Sequence, residues 1–366
     1  MPQFESASVS TPLRQRVREA IAEHGGWLPF DAYMALALYT PGLGYYARRS
    51  RQFGAMPATG SDFVTAPELS PLFARALAVQ VRQALEISES SDVIEFGAGS
   101  GALAEGLLDA LGTSCQRYAI VELSAALRER QAKQLARFAR KVVWLDRLPE
   151  KIHGVVLGNE VLDAMPVQLL HFDGDTWHER GVALCGDDFA WADRATHLRP
   201  PLADAAFVPG TTTEIHPQSE AFVHTLAERL TRGAAFFIDY GFPDAEYYHP
   251  QRTGGTLMCH RAHQMDANPL EDVGKKDITA HVNFSAIALA AQDAGLQVDG
   301  YTTQAHLLFN CGLAPLLEAA DPRQRASAHK LVAEHEMGEL FKVIALSRGL
   351  VWQPLGFAQG DRSHRL

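Results

Sequence analysis

The stretch VIEFGAGSGAL, residues 93–103, constrains the fold of this chain more than any other. A short apolar run enters a glycine-rich turn, and a helical pattern, ALAEGLLDAL, follows at once. That order gives a glycine loop its meaning, because the backbone can approach a ligand closely and the next helix begins with free N–H groups. The rhythm then repeats. RYAIVEL reads as a strand, SAALRERQAKQLARF as a helix with Ser124 as its N-cap, and KVVWL and GVVLGN as further strands. GAAFFIDYG, LQVDGYTTQ and FKVIALSR supply the remaining strands. Apolar strands alternating with amphipathic helices predict an α/β fold, a doubly wound mixed sheet covered on both faces, its last strand antiparallel.

The rest of the chain elaborates that core. Leu13 to Leu38 carries apolar residues at helical spacing, broken at Gly25-Gly26, and predicts two short helices. Tyr39 to Pro71 is long for a loop, and Tyr45, Tyr46 and Phe63 favour an ordered lid over a linker. Residues 168–194 read as short strands with D-G and G-D turns, and 242–283 as a second, irregular insertion. The expected division is a helical cap and cofactor lid over 1–78, a core over 79–350 with insertions at about 168–215 and 242–283, and a tail over 351–366.

Bulk properties exclude several classes. With 366 residues, 47% of them hydrophobic, the chain can bury a full core, and a net charge of −10 argues against nucleic acid as a partner. The basic run at 47–51 reads as a solvated loop. Four cysteines without C-x-x-C or zinc spacing predict free thiols and no metal. His260 and His263 lack a third ligand and read as part of a solvated loop. No run approaches the roughly 18 apolar residues of a membrane span. The start lacks the apolar segment of a signal peptide, and its acids, Glu5 and Glu19, do not suit an organellar presequence. The expected location is cytoplasmic.

The loop also carries a ligand signal. Dinucleotide binders use G-x-G-x-x-G to seat a pyrophosphate, whereas this loop reads Gly97-x-Gly99-x-Gly101, with Glu95 two residues before it. An acid there would repel a pyrophosphate and suits the ammonium of S-adenosyl-L-methionine (SAM). Glu122 lies about 20 residues past the loop, where a carboxylate can take ribose hydroxyls. The alternative is that the glycines merely make a tight turn.

LYTPGLGYY (38–46), GSDFVTAPELSPLF (60–73), VIEFGAGSG, GNEVLDAMPV (158–167), FFIDYG (236–241) and DITAHVNF (277–284) occur in this order along the chain. In these segments the sequence resembles the MidA-like family of SAM-dependent methyltransferases, whose mitochondrial members are assembly factors of respiratory complex I. The resemblance implies a seven-strand, Rossmann-like methyltransferase core, a helical cap and protein arginine methylation. It implies that Glu95, Gly97, Gly99, Gly101 and Glu122 hold the cofactor, and that Phe63, Thr65 and Pro67 line a lid over it. It further places Asn159, Glu160 and Asp163 at the exit of the fourth strand and Asp239 and Tyr240 at that of the fifth. Asp146 falls where such folds often bind the adenine amine, and Asn159 is expected to contact the cofactor or backbone.

Acids at the carboxyl ends of parallel strands sit where such sheets bind ligands, and they need cations. Arginine is protonated below a pKa of about 12 and has no free lone pair, so a carboxylate pair that binds its fork would free one nitrogen to attack a methyl group. Glu160 is the expected grip, with Asp163 or Asp239 second and His281 as proton acceptor. Other roles stay open: Asp163 as a helix-start acid, Asp239 as partner of a loop amide, His281 as a structural residue. The leading acceptor is a protein, with a subunit of complex I implied by the resemblance. A small-molecule methyltransferase and a SAM-binding assembly factor without catalysis remain the alternatives.

Overall fold

The computed structural model describes residues 6–47, 64–261 and 264–366. Its main sheet contains β1 (Asp92–Phe96), β2 (Arg117–Val121), β3 (Val142–Leu145), β4 (Ile152–Asn159), β5 (Leu230–Phe242), β6 (Gln297–Thr303) and β7 (Phe341–Arg348). They lie in the order β6-β7-β5-β4-β1-β2-β3. β1 to β5 run parallel, and β7 runs antiparallel between β5 and β6. A two-residue strand, Val282–Asn283, pairs parallel with the end of β5.

Burial on both faces explains the unbroken apolar runs of β4 and β5. Val155, Leu157, Phe236 and Ile238 pack on one face with the helices Pro71–Ser88 and Ala102–Leu111. Val156, Ala235 and Phe237 pack on the other with Pro217–Arg229 and Phe284–Asp293. The chain leaves β1 toward β2 and β3, then returns to the other side of β1 as β4. The crevice beyond the carboxyl ends of β1 and β4 is therefore where a ligand fits such a sheet.

The N-terminal region differs from the helical expectation. Between the helices Ser6–Glu23 and Phe30–Tyr39 the chain forms a strand, Trp27–Pro29, that pairs antiparallel with Trp177–Cys185. The pairing partner lies some 150 residues away, beyond the reach of local periodicity. A second sheet results, with strands Gln168–Phe172, Thr212–Ile215 and Asp188–Ala195 completing it. Part of the second insertion is also regular: Met258–Arg261 pairs with Gln264–Asp266 and Asp277–Thr279. Leu13, Tyr33, Val182, Cys259 and Ile278 share one core, so the N-terminal region and both insertions pack as a unit beside the main sheet. No described helix is long and apolar enough to cross a membrane.

One glycine reports on packing. Gly106 lies inside the helix Ala102–Leu111, and a Cβ there would sit 2.5 Å from Ala74 Cβ on Pro71–Ser88. Glycine costs roughly 1 kcal/mol against alanine in a helix interior, so close helix contact is its compensation. Gly106→Ala should therefore destabilise the protein by about 1–3 kcal/mol despite the better helix former. Urea unfolding checks this, and a raised midpoint would refute it.

Candidate active site

One side of the candidate site begins with β1. Glu95 is almost fully buried and accepts a hydrogen bond from the Tyr118 hydroxyl on β2 (2.7 Å). Burial and the nearby Glu122 push its pKa up to about 7, against the opposing effect of that bond. Gly97, Gly99 and Gly101 follow with φ of 60°, 53° and 89°, a left-handed path that strains other residues. At the exit of β2 the Glu122 carboxylate accepts from the Ser124 backbone N–H (2.8 Å) and from Gln131 Nε2 (3.1 Å). Gln131 Nε2 also donates to the Gly99 carbonyl (3.1 Å), tying the acid to the glycine loop.

The opposite side is built on Asp239 at the end of β5. Its Oδ2 accepts three successive backbone N–H groups, from Val161 (3.1 Å), Leu162 (2.9 Å) and Asp163 (3.2 Å). Its Oδ1 accepts from the Tyr240 N–H (3.0 Å). This folds the exit of β4 against β5 and leaves Glu160 in the left-handed region at φ 54°, a conformation that costs a non-glycine residue of order 1–3 kcal/mol. The half-buried Glu160 carboxylate accepts from Asn159 Nδ2 (3.1 Å) and from the Ala66 N–H. Desolvation, with Asp163 close by, pushes its pKa up to about 8. Asp163 accepts from the Tyr240 hydroxyl, and burial raises its pKa to about 6.

Among the described residues, Asn159 Oδ1, Asp163 Oδ1 and His281 Nδ1 here are buried without a hydrogen-bond partner. The His281 ring lies parallel to Phe242 (5.3 Å between centroids, 5° between planes) and edge-on to Tyr240 (5.0 Å). Burial and then the Arg252 charge lower its pKa to about 4.

Between the two sides lies a cavity of about 1190 Å³. Glu95, Gly97, Gly99, Glu122, Asn159, Glu160, Asp163, Tyr240 and His281 line it, with Tyr39, Tyr46, Thr65 and Pro67. Tyr39 and Tyr46 stack on each other (5.7 Å) and donate to the Ala164 carbonyl (2.7 Å) and Asp277 Oδ1 (2.7 Å). Gly101 lies behind the loop, capping the helix Ala102–Leu111 with its Cβ position against Gln131. The buried acids, the open glycine backbone and the unpartnered Asn159 Oδ1 fit a ligand with a cationic, hydroxyl-bearing frame, as SAM has.

Several expectations need correction. Asp146 does not line the cavity: its side chain is 86% exposed and pairs with Arg128 (2.6 Å). Asp239 does not line it either, because its oxygens are taken up by backbone N–H groups, which leaves the loop-amide role. Asp163 heads no helix, since turns follow Glu160, and it faces Tyr240 instead. His281 lines the cavity but is a weak base. His260 lines the cavity wall and is not a solvated loop residue. Phe63 and His263, and residues 48–51 of the basic run, lie outside the described residues. Tyr118, Gln131 and Tyr39 escaped sequence reasoning, whereas Tyr46, read there as part of an ordered lid, lines the cavity. A polar side chain in an amphipathic helix, such as Gln131, carries no local mark of what it touches.

Comparison with known proteins places this geometry. A family model of S-adenosyl-L-methionine-dependent methyltransferases matches residues 72–302. The mitochondrial protein arginine methyltransferase NDUFAF7 homologue of Caenorhabditis elegans is 27% identical, over 94% of this chain and 88% of its own length. The Danio rerio protein arginine methyltransferase NDUFAF7 is 27% identical, over 93% and 88%. A Burkholderia thailandensis crystal structure bound to S-adenosyl-homocysteine superposes with a TM-score of 0.96 at 48% identity, covering 100% of this chain and 99% of that one. A native structure from the same organism gives 0.91 at 47%, with the same coverage. The curated relatives are named mitochondrial, which overturns the expected cytoplasmic location.

The raised pKa of Glu160 has a consequence for stability. The folded protein holds this proton more tightly than the unfolded chain does, so the contribution is complete below the ordinary 4.5 and is lost as pH rises through about 8. Glu160→Gln removes that dependence. Between pH 5 and 8 the ligand-free wild type should lose Tm relative to the variant by about 2 °C or more. Parallel thermal melts across pH measure this, and parallel curves would contradict it.

Proposed function

The chain belongs to the S-adenosyl-L-methionine-dependent methyltransferase family, and from that premise we propose that it methylates arginine side chains of a protein partner. One observation carries the acceptor class. Glu160, Asp163 Oδ1 and Asn159 Oδ1 present hydrogen-bond acceptors to the cavity, and the latter two atoms have no partner among the described residues. A group made only of donors answers them. The guanidinium has five N–H donors in a planar fork, no acceptor and a permanent charge. Binding it would return Glu160 and Asp163 to their ionised forms, because an opposite charge nearby favours the carboxylate. The names of the curated relatives, protein arginine methyltransferases, support the same class. A subunit of respiratory complex I is the partner suggested by the family resemblance.

The residue roles follow from position. Glu95, Gly97, Gly99 and Glu122 hold the cofactor, Gly101 shapes the turn behind them, and Asn159 lies at the boundary between the two ligands. When bound, SAM supplies an electrophilic sulfonium methyl. Glu160 grips the guanidinium and draws its charge onto two nitrogens, leaving the third free to attack in line. Asp163, with a pKa near neutrality, takes the departing proton, and Tyr240 keeps its other oxygen occupied. His281, neutral between its aromatic neighbours, shapes the wall and does not act as the base. Positioning and fixed charge supply most of the rate in such a site.

The test uses methyl-labelled SAM with a cell lysate, followed by acid hydrolysis and identification of the labelled amino acid. Methylarginine is the expected product. Glu160→Gln should lower its formation about 100- to 1,000-fold, as loss of one transition-state contact does elsewhere. Its affinity for S-adenosyl-homocysteine should stay within about threefold, or 0.7 kcal/mol. Label on another residue or on a small molecule would refute the acceptor class, and an undiminished rate would refute the role of Glu160.

A further inference from the structure

Outside the cavity, one fully buried carboxylate joins four separate parts of the chain. Glu214 lies on the strand Thr212–Ile215 of the second sheet. Its Oε1 accepts the backbone N–H groups of Thr256 (2.8 Å) and Leu257 (3.0 Å). Its Oε2 accepts from the Tyr247 hydroxyl (3.0 Å) and the Thr256 hydroxyl (3.2 Å). Thr256 Oγ1 in turn accepts the backbone N–H of His281 (3.1 Å). Gly255 is shaped to this contact: its φ is +73°, and a Cβ would fall 2.4 Å from Glu214 Oε1.

The gripped segment leads directly to the cavity. Met258, immediately after Leu257, pairs with Thr279, and His260 pairs with Asp277. All four line the cavity, as does His281. None of them belongs to the glycine loop or to the Glu122 segment, where the cofactor residues lie. We infer that Glu214, which does not itself line the cavity, is a positioning residue that sets the acceptor wall through residues 256–257 and His281, so that the inserted sheet governs acceptor binding and not cofactor binding. A carboxylate suits this hub because the Thr256 and Leu257 N–H groups can only donate, whereas the Tyr247 and Thr256 hydroxyls could turn to accept from an amide; truncation to alanine leaves both backbone N–H groups without their acceptor. Buried groups left in that state are costly, so the local strands would shift.

The inference rests on the acceptor reading above, and the test separates the two. Wild type, Glu214→Ala and the milder Tyr247→Phe are compared while saturated with S-adenosyl-homocysteine. Agmatine, a guanidinium on a short alkyl chain, serves as probe. In Glu214→Ala the affinity for S-adenosyl-homocysteine should stay within about twofold while agmatine binding weakens about tenfold or more, with Tyr247→Phe between it and wild type. Hydrogen exchange should accelerate in peptides covering 254–260 and 277–283 and not in those covering 93–104. Unchanged agmatine binding, or cofactor affinity lost in parallel, would overturn the inference. If wild type itself binds no agmatine, the guanidinium reading fails and exchange decides the positioning claim: acceleration confined to the two segments sustains it, and acceleration spread over the main sheet overturns it.

Discussion

The active-site side of this fold depends on the Asp239 carboxylate. Three consecutive backbone N–H groups after β4 would otherwise end in a buried crevice without acceptors, which a folded chain rarely tolerates. Asp239, at the end of the neighbouring strand, satisfies all three with one oxygen. That bond set pins the exit of β4 to β5 and holds Glu160 in its left-handed conformation. The same turn carries Asp163 to the Tyr240 hydroxyl, and the Asp163 carbonyl accepts the Ala280 N–H (3.0 Å), so the His281 segment docks on it as well.

The price is electrostatic. Three acids, Glu160, Asp163 and Asp239, share one buried edge, and desolvation raises the pKa of each. For Asp239 the two neighbouring carboxylates add to that push, and the backbone donors oppose it. Those donors favour the ionised form of Asp239, because each bond is made to a carboxylate oxygen. Glu160, its pKa pushed up to about 8, then holds its proton until a cation arrives. On the glycine-loop side Glu95 stands in the same condition, buried and raised. The cavity is thus lined by acids that are least stable without ligands, a pattern common where binding free energy is stored for function.

Much of this was legible in the sequence because it is local. The glycine loop, Glu95, Glu122 and the strand–helix alternation depend on residues within a single βαβ unit. Glu160 was legible for the same reason: a polar cluster at the end of an apolar strand marks the ligand-binding edge of a parallel sheet. The misreadings were questions of direction or of distant pairing. Asp146 follows a short strand and turns outward to Arg128, and nothing in KVVWLD says which way it points. Trp27–Pro29 lies in a helical pattern and becomes a strand only because Trp177–Cys185 lies beside it.

By itself the sequence determined the fold class, the place of the glycine loop and the acidic character of the cavity, since period, glycine placement and residue type act over a few residues. Tertiary structure alone decided which acid serves which purpose. Asp239 and Glu160 are both carboxylates at strand exits, yet one is saturated by backbone donors and the other is open to the cavity. Likewise His281 is a weak base only because Phe242, Tyr240 and the Arg252 charge surround it. Hydrogen-bond saturation and desolvation depend on neighbours brought together from across the chain, and these set the function of a titratable group.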